Sequence, residues 1–102
     1  MIRLGVNVAG EPVVEIQDAR GVWHAYQFAL APRGPACWAV SLIRADNGHR
    51  YRVSEDVPGQ YRCTCPSHVY AKRNAPPCKH VRAAQLVRSF YLCLENAQCL
   101  TQ

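Results

Sequence analysis

The sequence predicts an α+β fold in which an antiparallel β-sheet is followed by one C-terminal helix. Through about residue 65, short runs of alternating apolar and polar residues are separated by turns that contain glycine or proline, a pattern typical of strands joined by hairpins. After residue 78 the apolar residues recur with the period of a helix. Because 102 residues suit one small core, we expect a single domain, 1–102.

Six strands are predicted from the alternation of side chains. They are 1–8, a run through Val14 and Ile16, 22–30, 36–44, 49–54 and 60–65. On the first strand one face is apolar and carries Ile2, Leu4, Val6 and Val8. The third run is largely apolar on both faces, so we expect it near the centre of the sheet. Turn residues at 18–21 and 46–48 predict hairpins, the second with the type I′ turn that Asn47-Gly48 favours.

A helix is predicted from about Cys78 to Glu95, and 96–102 is left as a tail. Its apolar residues, from Ala83 to Leu94, occupy about half of the helix circumference, which predicts that this half packs on the sheet. The polar half, which includes Arg88, is expected to face away from the sheet. Two prolines just before residue 78 favour a helix start there.

Two pairs of potential metal ligands lie where the strands give way to the helix: Cys63 with Cys65, and Cys78 with His80. Three thiolates and one neutral imidazole satisfy a single zinc ion, which prefers these ligands in a tetrahedron. Residues two apart point to the same side of a strand, whereas Cys78 and His80 fit a bend at a helix start. Four protein ligands leave no place for water, so we predict one structural Zn²⁺. His68, between the two pairs, is an alternative ligand.

The order C-x-C, a loop and C-x-H, with proline after the second cysteine and lysine between the last two ligands, resembles the SWIM zinc finger. The resemblance covers about 51–87, and it implies a ββα arrangement, zinc, and binding to DNA or protein. Members are usually parts of larger ATPases, transposases or recombination proteins, so this chain is expected to be a small stand-alone member. We accordingly predict N-terminal strands over 1–48, a finger of strand hairpin, zinc loop and helix over 49–95, and a tail over 96–102.

The other three cysteines, Cys37, Cys93 and Cys99, belong to no paired motif and are expected to pack as small apolar residues, with exposure near the tail as the alternative for Cys99. The N-terminus alternates apolar and polar residues instead of presenting the continuous apolar region of a signal peptide. No apolar run is long enough to span a bilayer. We therefore expect an intracellular protein, in the cytoplasm, nucleoid or nucleus, with no membrane partner. In such a reducing compartment metal binding is favoured over disulfides.

The net charge of +5 is concentrated in residues 44–88, where nine cationic residues stand against three acidic ones. The candidate nucleic-acid surface consists of basic side chains that could contact phosphates and one tyrosine that could stack on a base. Its residues are Arg50, Arg52, Arg62, Tyr70, Lys72, Arg73, Lys79 and Arg82. Alternation predicts that the first three share one face of the sheet. The alternatives are an ordinary solvated surface and, for Lys79 and Arg82, counter-charges to the zinc thiolates.

The sequence contains no phosphate-cradling glycine motif and no Ser-His-Asp or paired-carboxylate arrangement. We therefore expect neither an enzyme nor a small-molecule substrate, and histidines such as His24 are expected to be structural. Two functions from different classes remain. One is a zinc-binding module that binds nucleic acid, DNA above all, as an accessory or regulatory protein. The other is a protein–protein adaptor whose zinc is purely structural.

Overall fold

The computed structural model describes residues 1–32, 34–65 and 78–100, with side chains as far as Leu92 in the last range. The elements are β1 (Ile2–Val6), β2 (Pro12–Gln17), β3 (Trp23–Leu30), β4 (Trp38–Arg44), β5 (Arg50–Val57), β6 (Gln60–Cys63) and helix α1 (Lys79–Leu100). The six strands form one antiparallel sheet and follow one another across it in chain order. The predicted α+β class, with a C-terminal helix after an antiparallel sheet, is confirmed.

The hairpin of β5 and β6 continues the sheet formed by the first four strands. Strand β5 pairs with β4 from Trp38 opposite Glu55 to Ile43 opposite Arg50. On its other side β5 pairs with β6, and Val53 lies opposite Cys63. The strands predicted within 1–48 and those predicted within 49–95 therefore share one sheet.

Both predicted hairpins are present, although the second has a different loop. At 18–21, the Asp18 carboxylate accepts hydrogen bonds from the backbone N–H groups of Arg20 and Val22, and Gly21 adopts a φ of 85°. At the second hairpin the Arg44 N–H donates to the His49 carbonyl. The hydrogen-bonded pair Arg44 and His49 thus encloses a loop of four residues, 45–48, and Gly48 has a φ of 71°. This loop replaces the predicted two-residue type I′ turn, because longer hairpin loops also place glycine at a positive φ.

Helix α1 lies on one face of the sheet and packs against β1, β2, β4, β5 and β6. The core between the two layers is formed by buried residues that include Val14, Ile16, Tyr26, Val40, Leu42, Val53, Val81, Ala83, Ala84 and Val87. The helix continues to Leu100, beyond the predicted end at Glu95. This extension is consistent with a segment, 96–100, that contains neither glycine nor proline and gives no stop signal.

In addition to the apolar core, an ion pair between Glu55 of β5 and Arg88 of α1 connects the sheet to the helix. The Glu55 side chain is 7% exposed and its Oε1 accepts a hydrogen bond from Arg88 Nη1, while its Oε2 accepts one from the Gly59 N–H at 3.0 Å. The hydrogen bond from the Gly59 N–H has the largest effect, and together with Arg88 it holds the pKa of Glu55 below its ordinary value. Arg88 also lies over the Trp38 ring, with its guanidinium carbon 5.9 Å from the ring centroid. The expectation that Arg88 faces away from the sheet is wrong, because a buried carboxylate there requires a cation.

Replacing Glu55 with glutamine tests this ion pair. We expect Glu55→Gln to lower the free energy of unfolding by roughly 1–3 kcal/mol, because the partly buried Arg88 charge loses its counter-charge. Glu15→Gln is the control, since it removes an ion pair with Arg3 whose side chain is 54% exposed. An exposed pair is worth about 0–1 kcal/mol. Urea denaturation of both variants at neutral pH measures the difference, and equal losses would contradict a special role for Glu55.

Candidate metal centre

The end of β6 places two thiols on the face of the sheet that the helix covers. Cys63 lies opposite Val53, and the ladder continues past it because the Thr64 N–H donates to the Arg52 carbonyl at 3.2 Å. The Thr64 hydroxyl in turn accepts a hydrogen bond from the Arg52 N–H. The chain therefore stays extended, so Cys63 and Cys65 are buried on one side and Thr64 is exposed on the other. This is the geometry predicted for the first pair.

The start of α1 supplies the other two side chains. Cys78 directly precedes the helix, and its carbonyl accepts a hydrogen bond from the Arg82 N–H at 3.1 Å. His80 lies in the first turn and is only 4% exposed. Its ring stacks on Tyr51 with centroids 4.1 Å apart and meets Tyr26 edge-on at 5.6 Å. These two aromatic contacts fix the direction of the imidazole, which no feature of the sequence had indicated.

The four predicted ligands come together in space. The ligand atoms of Cys63, Cys65, Cys78 and His80 all lie within 4.8 Å of one another. The sulfur atoms of Cys65 and Cys78 are 3.7 Å apart, and all three cysteines are free thiols. A tetrahedral ion with metal–sulfur distances of about 2.3 Å requires neighbouring sulfurs about 3.8 Å apart. The observed separation fits such an ion.

The electrostatics of the cluster also favour a bound cation. Within the part of the chain that the structure describes, both ring nitrogens of His80 are buried and have no hydrogen-bond partner, which is costly unless a ligand satisfies one of them. The hydrogen bond from Cys63 lowers the pKa of Cys78 to about 3, so one thiolate forms readily. The same contact, together with burial, raises the pKa of Cys63. A cavity of about 290 Å³ is lined by Cys65, Cys78, Lys79 and His80.

The candidate nucleic-acid residues are divided between two places. Arg50, Arg52 and Arg62 lie on the face of the sheet opposite the helix, as the alternation predicted. Lys79 and Arg82 are exposed in the first turn of α1, on the helix side of the sheet. The other three predicted residues, Tyr70, Lys72 and Arg73, lie outside the described residues. The alternative ligand His68 lies outside them as well.

The arginines on the open face have partners within the chain. The Arg52 guanidinium donates to the Pro32 carbonyl at 3.0 Å, and Arg62 Nε forms an ion pair with Asp56 at 3.1 Å. Arg50 is exposed at the start of β5. Arg52 and Arg62 also line a surface cavity of about 400 Å³ with Ser54 and Asp56. The three arginines thus form a basic surface that Asp56 partly neutralises.

Cys37 does not pack as predicted. It is exposed, with its sulfur 3.8 Å from the Asp56 carbonyl oxygen, because the neighbouring Ala36 occupies the buried position before β4. The side chains of Cys93 and Cys99 lie outside the described residues, so their role remains a prediction.

His24 is held in a polar cluster that the sequence had not indicated. Its Nε2 lies 2.9 Å from Asp18 and its Nδ1 lies 3.0 Å from Arg44. Its Nδ1 also lies 3.4 Å from Asp46, so two carboxylates and one guanidinium surround the ring. The hydrogen bonds from His24 and the Val22 N–H lower the pKa of Asp18 to about 2. The cluster joins the two hairpin loops 18–21 and 45–48 through Asp18 and Asp46.

No known protein family, curated protein or solved structure matches this chain. The metal centre therefore rests on its own geometry. Among the described residues no helix has the length and apolar character needed to cross a membrane.

Removing one ligand tests the centre directly. Cys78→Ser should weaken binding of added Zn²⁺ by more than about 100-fold, because losing even an outer-shell partner typically costs 10–100-fold. Cys37→Ser is the matched control, since it removes an exposed thiol outside the cluster. Competition with a colorimetric chelator measures both affinities. Equal affinities in the two variants would mean that Cys78 is not a ligand.

Proposed function

We propose that this protein is a zinc-binding module whose ion is structural and is held by Cys63, Cys65, Cys78 and His80. The observation that carries the proposal is the convergence of four ligand atoms within 4.8 Å, two of the three thiols and the imidazole being buried. Three sulfurs and one nitrogen are a donor set that zinc prefers over magnesium or calcium, which take oxygen. Zinc is therefore the ion whose chemistry this site suits best.

A structural role follows from the number of ligands and from where they lie in the chain. The chain supplies all four positions of a tetrahedron, so no position is left for a water molecule or a substrate. Cys63 and Cys65 belong to the end of β6, while Cys78 and His80 belong to the start of α1. A bound ion would link these two elements and close the segment between them. In zinc-finger peptides the corresponding binding free energy is roughly 10–16 kcal/mol, which is large for a chain with a small core.

We also propose, as part of the same hypothesis, that the metal site is a zinc finger of the SWIM type. The support is the C-x-C and C-x-H spacing together with the order of a strand hairpin, a connecting segment and a helix around the ligands. In this chain the hairpin belongs to a larger sheet, so the finger would be an extension of that sheet.

Metal content and metal removal test the zinc site. We expect native mass spectrometry of the purified chain to show one Zn²⁺ per molecule. Strong chelation should remove the ion and also the helical signal in circular dichroism, because the metal and the start of α1 are coupled in folding. Glu15→Gln, on the opposite face of the sheet, is the control that should keep its zinc. A metal-free chain that stays folded and does not take up added zinc would contradict the proposal.

Nucleic-acid binding is the second part of the proposed function, with a role as an accessory or regulatory protein. It is supported by the position of Arg50, Arg52 and Arg62 on a sheet face that no described element covers. The balance of charge points the same way, since 44–88 holds nine cationic and three acidic residues. Cationic side chains on an open surface bind phosphates without reading sequence. The alternative is an adaptor in which the same face meets another protein.

A salt series separates these two possibilities. Arg50→Gln with Arg62→Gln removes two charges and leaves Arg52, which binds the Pro32 carbonyl. If both arginines contact phosphates, the slope of log affinity against log salt should fall by about 1.4–1.8, since each contact contributes about 0.7–0.9. Arg3→Gln with Arg20→Gln is the charge-matched control near the other end of the sheet, and its slope should stay unchanged. Fluorescence anisotropy with single-stranded and duplex DNA measures the slopes. Absence of binding by the wild-type protein at low salt would favour the adaptor.

A further inference from the structure

Strand β1 forms an open edge of the sheet, and its backbone shows which residues face outward. The Met1 carbonyl accepts a hydrogen bond from the Gln17 N–H at 2.9 Å, and the Asn7 N–H donates to the Glu11 carbonyl at 3.0 Å. Hydrogen-bonded pairs alternate along an antiparallel ladder, so the odd residues of β1 bond to β2. The N–H and C=O groups of Ile2, Leu4 and Val6 therefore point away from β2.

Two further observations agree with this alternation of inward and outward backbone groups. Val6 lies opposite Pro12 in the register of β1 and β2, and proline has no N–H to donate, as expected in a pair without hydrogen bonds. Along the outer side of Ile2, Leu4 and Val6, the described part of the chain contributes no strand. Among the residues described, the edge thus presents a row of backbone donors and acceptors without a strand partner.

The five residues of β1 include no proline, no lysine and no inward-pointing charge. Natural edges are blunted by short length, proline, lysine or inward-pointing charge. The opposite edge, β6, has only four residues and carries Arg62. In β1 the single charged residue, Arg3, points to the other face, where it pairs with Glu15 and stacks on Trp23 at 3.8 Å. Leu4 and Val6 are apolar and exposed, 39% and 70% respectively.

We propose that β1 pairs with β1 of a second copy of this chain, which joins the two sheets about a two-fold axis through Leu4. A two-fold axis makes an antiparallel pair, and centring it on Leu4 uses the whole strand. Leu4 then lies opposite Leu4 of the partner, and Ile2 lies opposite Val6. In each of these pairs the two residues exchange both N–H···O bonds, because their polar groups already point outward.

The side chains of β1 suit this register. Leu4 lies opposite Val14, so it is on the face of the sheet that carries the core. Leu4, Ile2 and Val6 of the two copies would therefore form one apolar cluster on that side. On the other side, Arg3 of each copy lies opposite Gly5 of the other. Glycine has no side chain to collide with the guanidinium, and like charges do not meet.

Other registers are less suitable. An axis through Arg3 would set two arginines directly opposite each other, which is destabilising. An axis through Gly5 would pair Ile2 with Val8, which lies beyond the end of the strand. Charge and strand length thus both favour the axis through Leu4. An extended peptide from another protein would meet the same backbone groups, and the following experiment distinguishes that case.

Amide hydrogen exchange at several protein concentrations tests the proposal without any mutation. In untagged protein, the amides of Ile2, Leu4 and Val6 should become protected as the concentration rises. Those of Arg3, Gly5 and Asn7 should be protected at every concentration, since they bond within the chain. Sedimentation should show the mass rising from one chain to two over the same range. Constant exchange at Leu4 together with a single-chain mass at every soluble concentration would overturn the proposal, and the edge would then be open to a different protein.

Two variants check that any dimer uses this edge. Leu4→Pro removes an outward N–H without breaking a bond to β2, and Leu4→Lys places two cations opposite each other. Each should raise the dimer dissociation constant at least about tenfold. Val57→Lys is the control, because Val57 is a similarly exposed apolar residue at the end of β5. An unchanged circular-dichroism spectrum in every variant verifies folding. A dimer that persists in both Leu4 variants would place the interface elsewhere and overturn the proposal.

Discussion

The contact between the end of β6 and the first turn of α1 is the interaction on which the rest of the structure depends. Three thiols and an imidazole meet there within 4.8 Å, and a bound cation would stabilise them because both His80 nitrogens are buried without a hydrogen-bond partner among the described residues. The hydrogen bonds of Thr64 to Arg52 keep the chain extended beyond β6, and this places the thiols of Cys63 and Cys65 on the same face of the sheet. The helix supplies two ligands only because it begins at Lys79. Binding of an ion there would therefore be coupled to the packing of the helix on the sheet.

Two further contacts between the sheet and the helix support that contact. Tyr51 stacks on His80 and belongs to β5, so the strand beside β6 holds the imidazole ring in place. About two turns further along α1, Arg88 reaches back to Glu55 on the same strand. Together they hold α1 against β5 at two points, one at its first turn and one near its middle. The apolar core then needs only small residues, such as Ala83 and Ala84, where the helix lies close to the sheet.

The sequence was sufficient for the features that depend on local periodicity and ligand spacing. Alternation placed Cys63 and Arg62 on opposite faces of the sheet, and the spacing of thiols and imidazole selected the four residues that converge. The sequence was insufficient where a contact with a residue distant in the chain determines the position of a side chain. Arg88 lies on the polar side of its helix by periodicity, yet Glu55 draws it toward the sheet. Cys37 is exposed because Ala36 takes the buried position, and no local pattern distinguishes the two.

The placement of charge relative to the ligands separates the proposed metal site from the proposed binding surface. Arg50, Arg52 and Arg62 alternate with residues that face the helix, so their side chains lie on the other side of the sheet from the metal ligands. A phosphate bound there would not approach the thiolates, and the zinc would have no direct part in recognition. Its contribution would be to keep β5 and β6 in the register that sets these arginines on one face. On this view the metal defines the shape of the surface, and the arginines determine what it binds.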